Sequence, residues 1–145
     1  MSAAESTEDN LFETGMAVRR EVLGDAHVDR AVERTTDFTK PFQDYVTTGA
    51  WGSVWSRPDL DRRTRSAVTL GVLTALHCHE EIAMHVRAAV RNGLTPAEIS
   101  EVLLHTAVYA GAPAANAAFA IAQRVLDEMS SSSFSSSLGP PLPDS

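Results

Sequence analysis

Three side chains with acid-base or thiol chemistry lie close together near the middle of the sequence. They are Cys78, Glu81 and His85, and at about 3.6 residues per turn their spacing places them on one stripe of a helix. Glu81 precedes His85 by four residues, a spacing at which a carboxylate can orient an imidazole and favour its charged form. The stripe therefore predicts a reactive site in which Glu81 and His85 handle a proton.

The same stretch leaves other interpretations open. A zinc-protease helix needs two histidines four residues apart, whereas His79 and His85 are six apart, so a metal is disfavoured and only a tripod of Cys78, Glu81 and His85 remains geometrically possible. Cys78 is the chain's one cysteine; it could act as a thiolate on peroxide, but a small buried residue is the simpler interpretation. Glu81 and His85 could also form an ordinary surface pair.

Composition limits the classes of partner. The formal charge is −7 and the one lysine is Lys40, which argues against a nucleic-acid partner because phosphate binding needs clustered cations. A chain of 145 residues with 43% hydrophobic content can build one core. No apolar run approaches the roughly 20 residues of a membrane span, and the acidic start lacks the basic and apolar regions of a signal peptide. We therefore expect a cytoplasmic protein that is not in a membrane.

Helical spacing recurs along the chain while alternating strand patterns are sparse, so we expect an all-α fold of about six helices. The predicted domain covers 10–129, and the Ser- and Pro-rich segment 130–145 is expected to be a disordered tail. The helical segments are predicted over about 10–23, 27–32, 39–55, 59 or 61 to 76, 78–92, 95–110 and from 113 onward.

Several helix ends carry strong local signals. Gly24 and Gly93 are placed to end helices in the left-handed conformation. The run Thr95-Pro96-Ala97-Glu98 combines a capping box with proline at the first helical position. The last helix is rich in alanine, so its backbone can approach a neighbour closely, and this favours a homo-oligomer.

Aromatic and basic residues allow two interpretations each. Phe42, Trp51 and Trp55 are expected in the core, with a ligand pocket as the alternative, and His105 is expected to be a core histidine. Arg62, Arg63 and Arg65 open a predicted helix at its positive end, where cations are misplaced. They either hold an anion or pair with nearby Asp59 and Asp61.

Seven motifs follow one another along the chain: Arg19 to Gly24 with His27-Val28, Trp51 to Pro58, Leu60 to Ser66, Glu80-Glu81, His85 to Ala89, Asn92-Gly93 with Thr95 to Glu98, and Tyr109 to Asn116. In these motifs, from residue 15 to residue 129, the chain resembles the gamma-carboxymuconolactone decarboxylase family, small proteins of the alkylhydroperoxidase D-like fold. Redox members of that superfamily carry Cys-x-x-Cys-x-x-x-His, whereas Glu81 holds the second cysteine's place here, so the resemblance favours the proton-handling branch.

The resemblance implies cofactor-free decarboxylation of gamma-carboxymuconolactone to the β-ketoadipate enol-lactone in aromatic catabolism, by a homotrimer or homohexamer without a metal. His85 and Glu81 would be catalytic. The dicarboxylate lactone would be bound by Arg65, Arg57, Trp51, Trp55 and Cys78. Three alternatives stay open: another unsaturated lactone or quinone-like metabolite as substrate, a Cys78-dependent thiol peroxidase, and an oligomeric binding protein without activity.

Overall fold

The structure is a computed structural model that describes residues 3–137. Within this range the chain forms α-helices and one π-helical segment and no strand, which confirms the all-α prediction. The elements are α1 (Ala3–Leu23), α2 (Asp25–Arg34), α3 (Lys40–Val46), the π segment (Thr47–Trp55), α4 (Arg62–Ala75), α5 (His79–Arg91), α6 (Pro96–Ala110) and α7 (Ala112–Ser137).

The local signals at helix ends have the predicted effect. Gly24 and Gly93 adopt φ of 90° and 99°, in the region where glycine avoids the clash of a Cβ atom. The amide of Glu98 donates to Thr95 Oγ1 at 3.2 Å, and the amide of Thr95 donates to Glu98 Oε1 at 3.1 Å. Asp61, one of two predicted caps of α4, accepts from the amide of Thr64 at 2.7 Å. These bonds satisfy amides that have no partner within their helix.

The extents of three elements differ from the prediction. The helix expected over 39–55 is α3 followed by the π segment, and α1 begins before residue 10. α7 continues to Ser137, so the first part of the segment expected as a disordered tail is helical; residues 138–145 lie outside the described range. Serine hydroxyls in this part of α7 bond to carbonyls one turn earlier, for example Ser133 Oγ to Met129 O at 3.1 Å, and so fit a helix.

The π segment forms where hydroxyl groups compete for helical carbonyls. Thr47 Oγ1 donates to Gln43 O and Thr48 Oγ1 to Asp44 O, both at 2.8 Å, and Ser53 Oγ donates to the carbonyl of Thr48, five residues earlier, at 2.9 Å. Such bonds open a helix away from the regular α ladder, and single π turns are frequent at functional sites.

α1 crosses the π segment at very short range because glycine stands on both sides. A Cβ atom at Gly15 would overlap the carbonyl oxygen of Thr47, and one at Gly52 would overlap the carbonyl oxygen of Leu11. Both obstacles are backbone atoms, which cannot rotate out of the way as a side chain can. This close crossing fixes the side chains of the π segment relative to α1.

Helix α5 lies between two hydrophobic clusters. Val86 and Ala89 of α5 belong to a cluster that we call the aliphatic core, and Ala88 belongs to a second cluster, the tryptophan layer. The aliphatic core contains Leu70, Ile82, Val86, Ala89, Leu94, Ile99, Leu103, Ala118, Ala122 and Val125. The tryptophan layer contains Val18, Val22, Trp51 and Ala88, with Trp55 packed against them. In the part of the chain that is described, no helix is long and apolar enough to cross a membrane.

Two residues that were predicted in the core lie at the surface. Phe42 is 64% exposed and His105 is exposed as well, so both predictions were wrong. An apolar stripe in a sequence shows that a face is suited to burial but not whether the same chain covers it. Phe38, Tyr45 and Tyr109 are likewise exposed.

Candidate active site

The structure brings three of the predicted site residues into one aromatic cluster. His85 is buried on α5, and its ring centroid lies 6.5 Å from that of Trp51 and 6.3 Å from that of Trp55. The His85 ring is inclined by 10° to Trp51 and 25° to Trp55, and the two tryptophan centroids are 5.0 Å apart. The imidazole thus sits in a largely water-free environment with aromatic walls.

Burial controls the charge of His85. Loss of hydration lowers the pKa of His85 to about 4; the negative charge of Glu81 raises it, and the positive charge of His27 lowers it further. The prediction that Glu81 charges the imidazole therefore has the right sign, but burial has the larger effect. At neutral pH His85 is uncharged in the free protein, and its Nδ1 is buried without a hydrogen-bond partner among the described residues.

The three residues of the predicted stripe occupy different environments. Glu81 is exposed, and within the described chain it forms no ion pair with His85. Cys78 is the residue before α5 and is half-buried, with Sγ 3.8 Å from the carbonyl oxygen of Leu76. Over residues 3–137, no group of three or more His, Cys, Asp or Glu side chains could hold a metal ion.

The two predicted anchoring arginines differ in their free hydrogen-bonding capacity. Arg57 is exposed and pairs with Asp59 at 3.2 Å. Arg65 is half-buried and donates to the carbonyl of Arg57 at 3.3 Å. Arg57 lies two residues after Trp55 in the sequence. The Nε of Arg65 is buried without a partner in the described part of the protein. Arg65 therefore retains a donor near the end of the π segment, whereas the charge of Arg57 is already paired.

Two polar residues next to this cluster were not among the predicted site residues. His27 on α2 is close enough for its charge to affect His85, and its own pKa is lowered by burial first and then by the charges of Arg30 and Arg19. Arg19 on α1 is only 7% exposed. The sequence held a signal for Arg19, because Gly15, Val18, Arg19 and Val22 follow helical spacing on one buried face.

A neutral imidazole in such a site can act in two ways. It can donate a hydrogen bond to an oxyanion that develops in a reaction, as a neutral histidine does in other enzymes. It can also take up a proton when an anion enters the site and deliver that proton to a carbanion. Both actions suit reactions in which negative charge forms on an organic acid.

Comparison with known proteins agrees with this chemistry. The model of the carboxymuconolactone decarboxylase family matches residues 40–124. A 4-carboxymuconolactone decarboxylase of Acinetobacter baylyi is 46% identical over 122 residues, which cover 84% of this chain and 91% of that protein. A nitrosuccinic acid decarboxylase of Metarhizium robertsii is 40% identical over 131 residues, covering 88% and 92%. The chain therefore belongs to the carboxymuconolactone decarboxylase family.

Proposed function

We propose that the protein is a cofactor-free carboxy-lyase that converts gamma-carboxymuconolactone to the β-ketoadipate enol-lactone. The observation that carries this proposal is the buried, uncharged His85 between Trp51 and Trp55, in a chain 46% identical to a 4-carboxymuconolactone decarboxylase. We place the reaction in aromatic catabolism, in the β-ketoadipate pathway of the cytoplasm.

The reaction needs no external electron acceptor. The bond between the ring carbon and its carboxylate breaks, CO2 leaves, and the electron pair passes into the conjugated lactone carbonyl to give a furanolate-like dienolate. A proton then adds to the carbon α to that carbonyl, which yields the enol-lactone. The protein has to hold the substrate, stabilise the oxyanion and supply one proton.

The tryptophan layer would favour the departure of CO2, and arginines would hold the rest of the substrate. Loss of CO2 disperses the charge of the departing carboxylate, so apolar walls such as Trp51 and Trp55 favour the transition state over the bound anion. A second carboxylate stays on the product, and cations must hold it. Arg65, with its unpartnered Nε, and Arg57 are the proposed anchors, and half-buried Cys78 is proposed to contact the substrate.

His85 is the proposed proton donor. A dianionic substrate brought into this buried site raises the pKa of His85 from its low value in the free protein, so binding itself favours imidazolium. Glu81 acts in the same direction through its negative charge, or serves as the acid directly. After CO2 leaves, the proton moves to carbon and the imidazole returns to the neutral form that burial favours.

The test is to follow CO2 release and loss of lactone absorbance with the full chain and no added metal. Removing a general acid typically lowers turnover by about 10²–10⁴-fold, which is the loss expected for His85→Gln. His79→Gln is the matched control, because His79 is an exposed histidine on the same helix; it should keep wild-type turnover. Equal turnover of His85→Gln and wild type would remove His85 from the mechanism.

A second candidate substrate comes from the fungal relative. Nitrosuccinic acid is a dicarboxylic acid whose nitro group can accept the electron pair released with CO2, much as the lactone carbonyl does. The similarity to a nitrosuccinic acid decarboxylase thus favours a site that serves acids with an acceptor beside the departing carboxylate. The ratio of kcat/KM for the lactone to that for nitrosuccinate decides between them. Cys78→Ser assayed with peroxide tests the thiol peroxidase alternative.

We also propose a homotrimer or homohexamer. One face of α4 and α6 exposes large apolar side chains, and a cavity of about 510 Å³ lies between these helices, lined in part by Val68, Val102 and His105. A face of this kind is typical of a subunit interface. Light scattering should give three or six times the chain mass of 15.6 kDa. The large apolar side chains that α4, its C-cap and α6 expose are Val68, Val72, Leu76, Leu104, Val108 and Tyr109.

A further inference from the structure

A cavity of about 310 Å³ lies where α1, the end of α2, α3 and the start of the π segment meet. Its walls are largely apolar, with Phe12, Met16 and Val32 among them, and its charged lining residues are Arg19, Lys40 and Asp44. We call it the Arg19 cavity. Its volume lies at the lower end of the range for small-molecule sites, so it is suited to part of a small organic acid rather than to a large ligand.

Arg19 is buried in this cavity with much of its hydrogen-bonding capacity unused. Its guanidinium donates to Gln43 Oε1 at 3.1 Å and to Thr47 Oγ1 at 3.4 Å, and both acceptors are uncharged. Its Nε is buried without a partner, and across residues 3–137 no carboxylate forms an ion pair with it. An unpaired buried cation is strongly unfavourable unless an anion joins it.

The remaining charges of the cavity do not neutralise Arg19. Lys40 Nζ bonds to the carboxylate of Asp44 at 2.6 Å, so these two residues compensate each other. The lining therefore has one positive charge in excess, in a chain whose formal charge is −7. One carboxylate would balance it, and a guanidinium can bind a carboxylate through two parallel hydrogen bonds.

The Arg19 cavity is linked to the proposed reaction site through the π segment. Thr47, which accepts from Arg19, lies about one turn before Trp51 on the π segment, and Trp51 contacts His85. His27 responds to the charge of Arg19 and in turn affects His85. A ligand carboxylate at Arg19 would thus lie about one helical turn along the π segment from the tryptophan that stacks against His85.

We infer that Arg19, in place of Arg65 and Arg57, binds the carboxylate that the substrate retains, so that the Arg19 cavity is the anchoring subsite for a small dicarboxylic acid. This inference rests on the proposed function for the identity of the substrate, and on the buried, unpaired guanidinium for the class of ligand. Arg19 then holds the acid while the carboxylate to be lost lies against the tryptophans.

The experiment measures binding of succinate, a simple dicarboxylate, to the full chain by calorimetry, together with KM for the lactone. A charge-assisted hydrogen bond contributes about 1.5–3 kcal/mol, so Arg19→Gln should weaken succinate binding by roughly ten- to a hundredfold and raise KM by a similar factor. Arg19→Lys keeps the charge but loses the planar guanidinium. Its succinate affinity and its KM should lie between those of wild type and Arg19→Gln. Arg30→Gln is the control, because Arg30 is an exposed arginine outside the cavity lining and should bind like wild type.

Thermal unfolding separates anchoring from a structural role. Without ligand, Arg19→Gln should be at least as stable as wild type, because it removes a buried charge that has no countercharge. Succinate should raise the Tm of wild type and Arg30→Gln but not of Arg19→Gln. A marked loss of stability in Arg19→Gln without ligand would instead indicate a structural arginine and overturn the inference.

The outcomes distinguish this inference from the proposed function. If wild type binds succinate through Arg19 but does not decarboxylate the lactone, the anchoring subsite stands and the proposed substrate is wrong. If wild type decarboxylates the lactone and Arg19→Gln has the same KM and succinate affinity, the inference is overturned and the proposed function stands. Absence of succinate binding to wild type also overturns it.

Discussion

The aliphatic core and the tryptophan layer share α5 but differ in what they bury. The aliphatic core is made of Leu, Ile, Val and Ala side chains from α4, α5, α6 and α7, together with Leu94 between α5 and α6. In the tryptophan layer, His85 stacks against two indoles, and Arg19 lies close by on α1. Among the described residues, Arg19 and His85 are the buried side chains that can carry charge, and both are on this side of α5.

Because of this difference, the aliphatic core stabilises the fold, whereas the tryptophan layer carries the groups that can react or bind a ligand. Burying apolar surface stabilises the fold without directional demands, whereas burying an imidazole or a guanidinium without a full set of partners opposes folding. Polar groups near the aliphatic core include neutral, satisfied ones, such as Ser66, which accepts from Asn92 Nδ2 at 2.8 Å. The aliphatic core therefore supplies the stability that allows the tryptophan layer to keep groups poised for a ligand.

The largest expected effect on the free energy of unfolding comes from a substitution in the aliphatic core. Leu103 is fully buried in the aliphatic core, so Leu103→Ala should lower the free energy of unfolding by about 2–5 kcal/mol. Turnover per folded molecule should stay close to that of wild type, the reverse of His85→Gln. Urea unfolding and steady-state kinetics on the same preparations measure both. A large loss of kcat in Leu103→Ala would show that the two regions are coupled.

A pH series tests the tryptophan layer. The pKa of His85 is about 4 in the folded protein and about 6.5 in an unfolded chain, so the unfolded state binds more protons between these values. Stability should fall as pH drops from about 6.5 towards 4, with His85 accounting for up to about 3 kcal/mol. His85→Gln should lose this component while His27 and Asp61, whose pKa values are also lowered in the folded protein, still contribute. Identical pH dependence in both proteins would contradict the burial of His85.

The smallest effect concerns the contact that positions the tryptophans. Gly52→Ala forces a Cβ atom against the backbone of Leu11 and should destabilise the protein by about 1–3 kcal/mol. Gly49→Ala lies in the same π segment, where the new Cβ atom meets only Tyr45 at an ordinary 3.9 Å. That control should be neutral or stabilising by up to about 1 kcal/mol, because alanine favours helices. Thermal unfolding would compare the two, and equal effects would contradict the close crossing of α1.

The helix ends could be predicted from the sequence because the interactions that set them are local. Asp61 and the Thr95 capping box bond to amides a few residues away. Gly24 predicts a helix end by itself, because glycine adopts a positive φ without a steric clash. The π segment could not be predicted, since it depends on α1 packing against Gly52 as well as on nearby hydroxyls. Short patterns favoured a single helix there, and tertiary contact changed its geometry.

Some residues of the candidate site could be predicted from the sequence, whereas others follow only from how the helices pack. Helical spacing and the family motifs both placed His85 among the site residues, the motifs placed Trp51 and Trp55 there, and the structure brings the three rings together. Helical spacing paired Glu81 with His85, but spacing alone does not show that His85 is buried while Glu81 is exposed. Arg19 and His27 come from α1 and α2, so their proximity to α5 follows only from how the helices pack.

Lys40, at the edge of the Arg19 cavity, is the one lysine of the chain. Its side chain is 64% exposed and its ammonium group is bonded to Asp44, so an amine-selective reagent has a single side-chain target. Reductive dimethylation with isotope-labelled formaldehyde keeps the positive charge of Lys40, so Asp44 stays neutralised and the NMR signals of the new methyl groups report on the cavity. The molecule thus carries a natural labelling position from which occupancy of the cavity could be followed in real time without introducing a new residue.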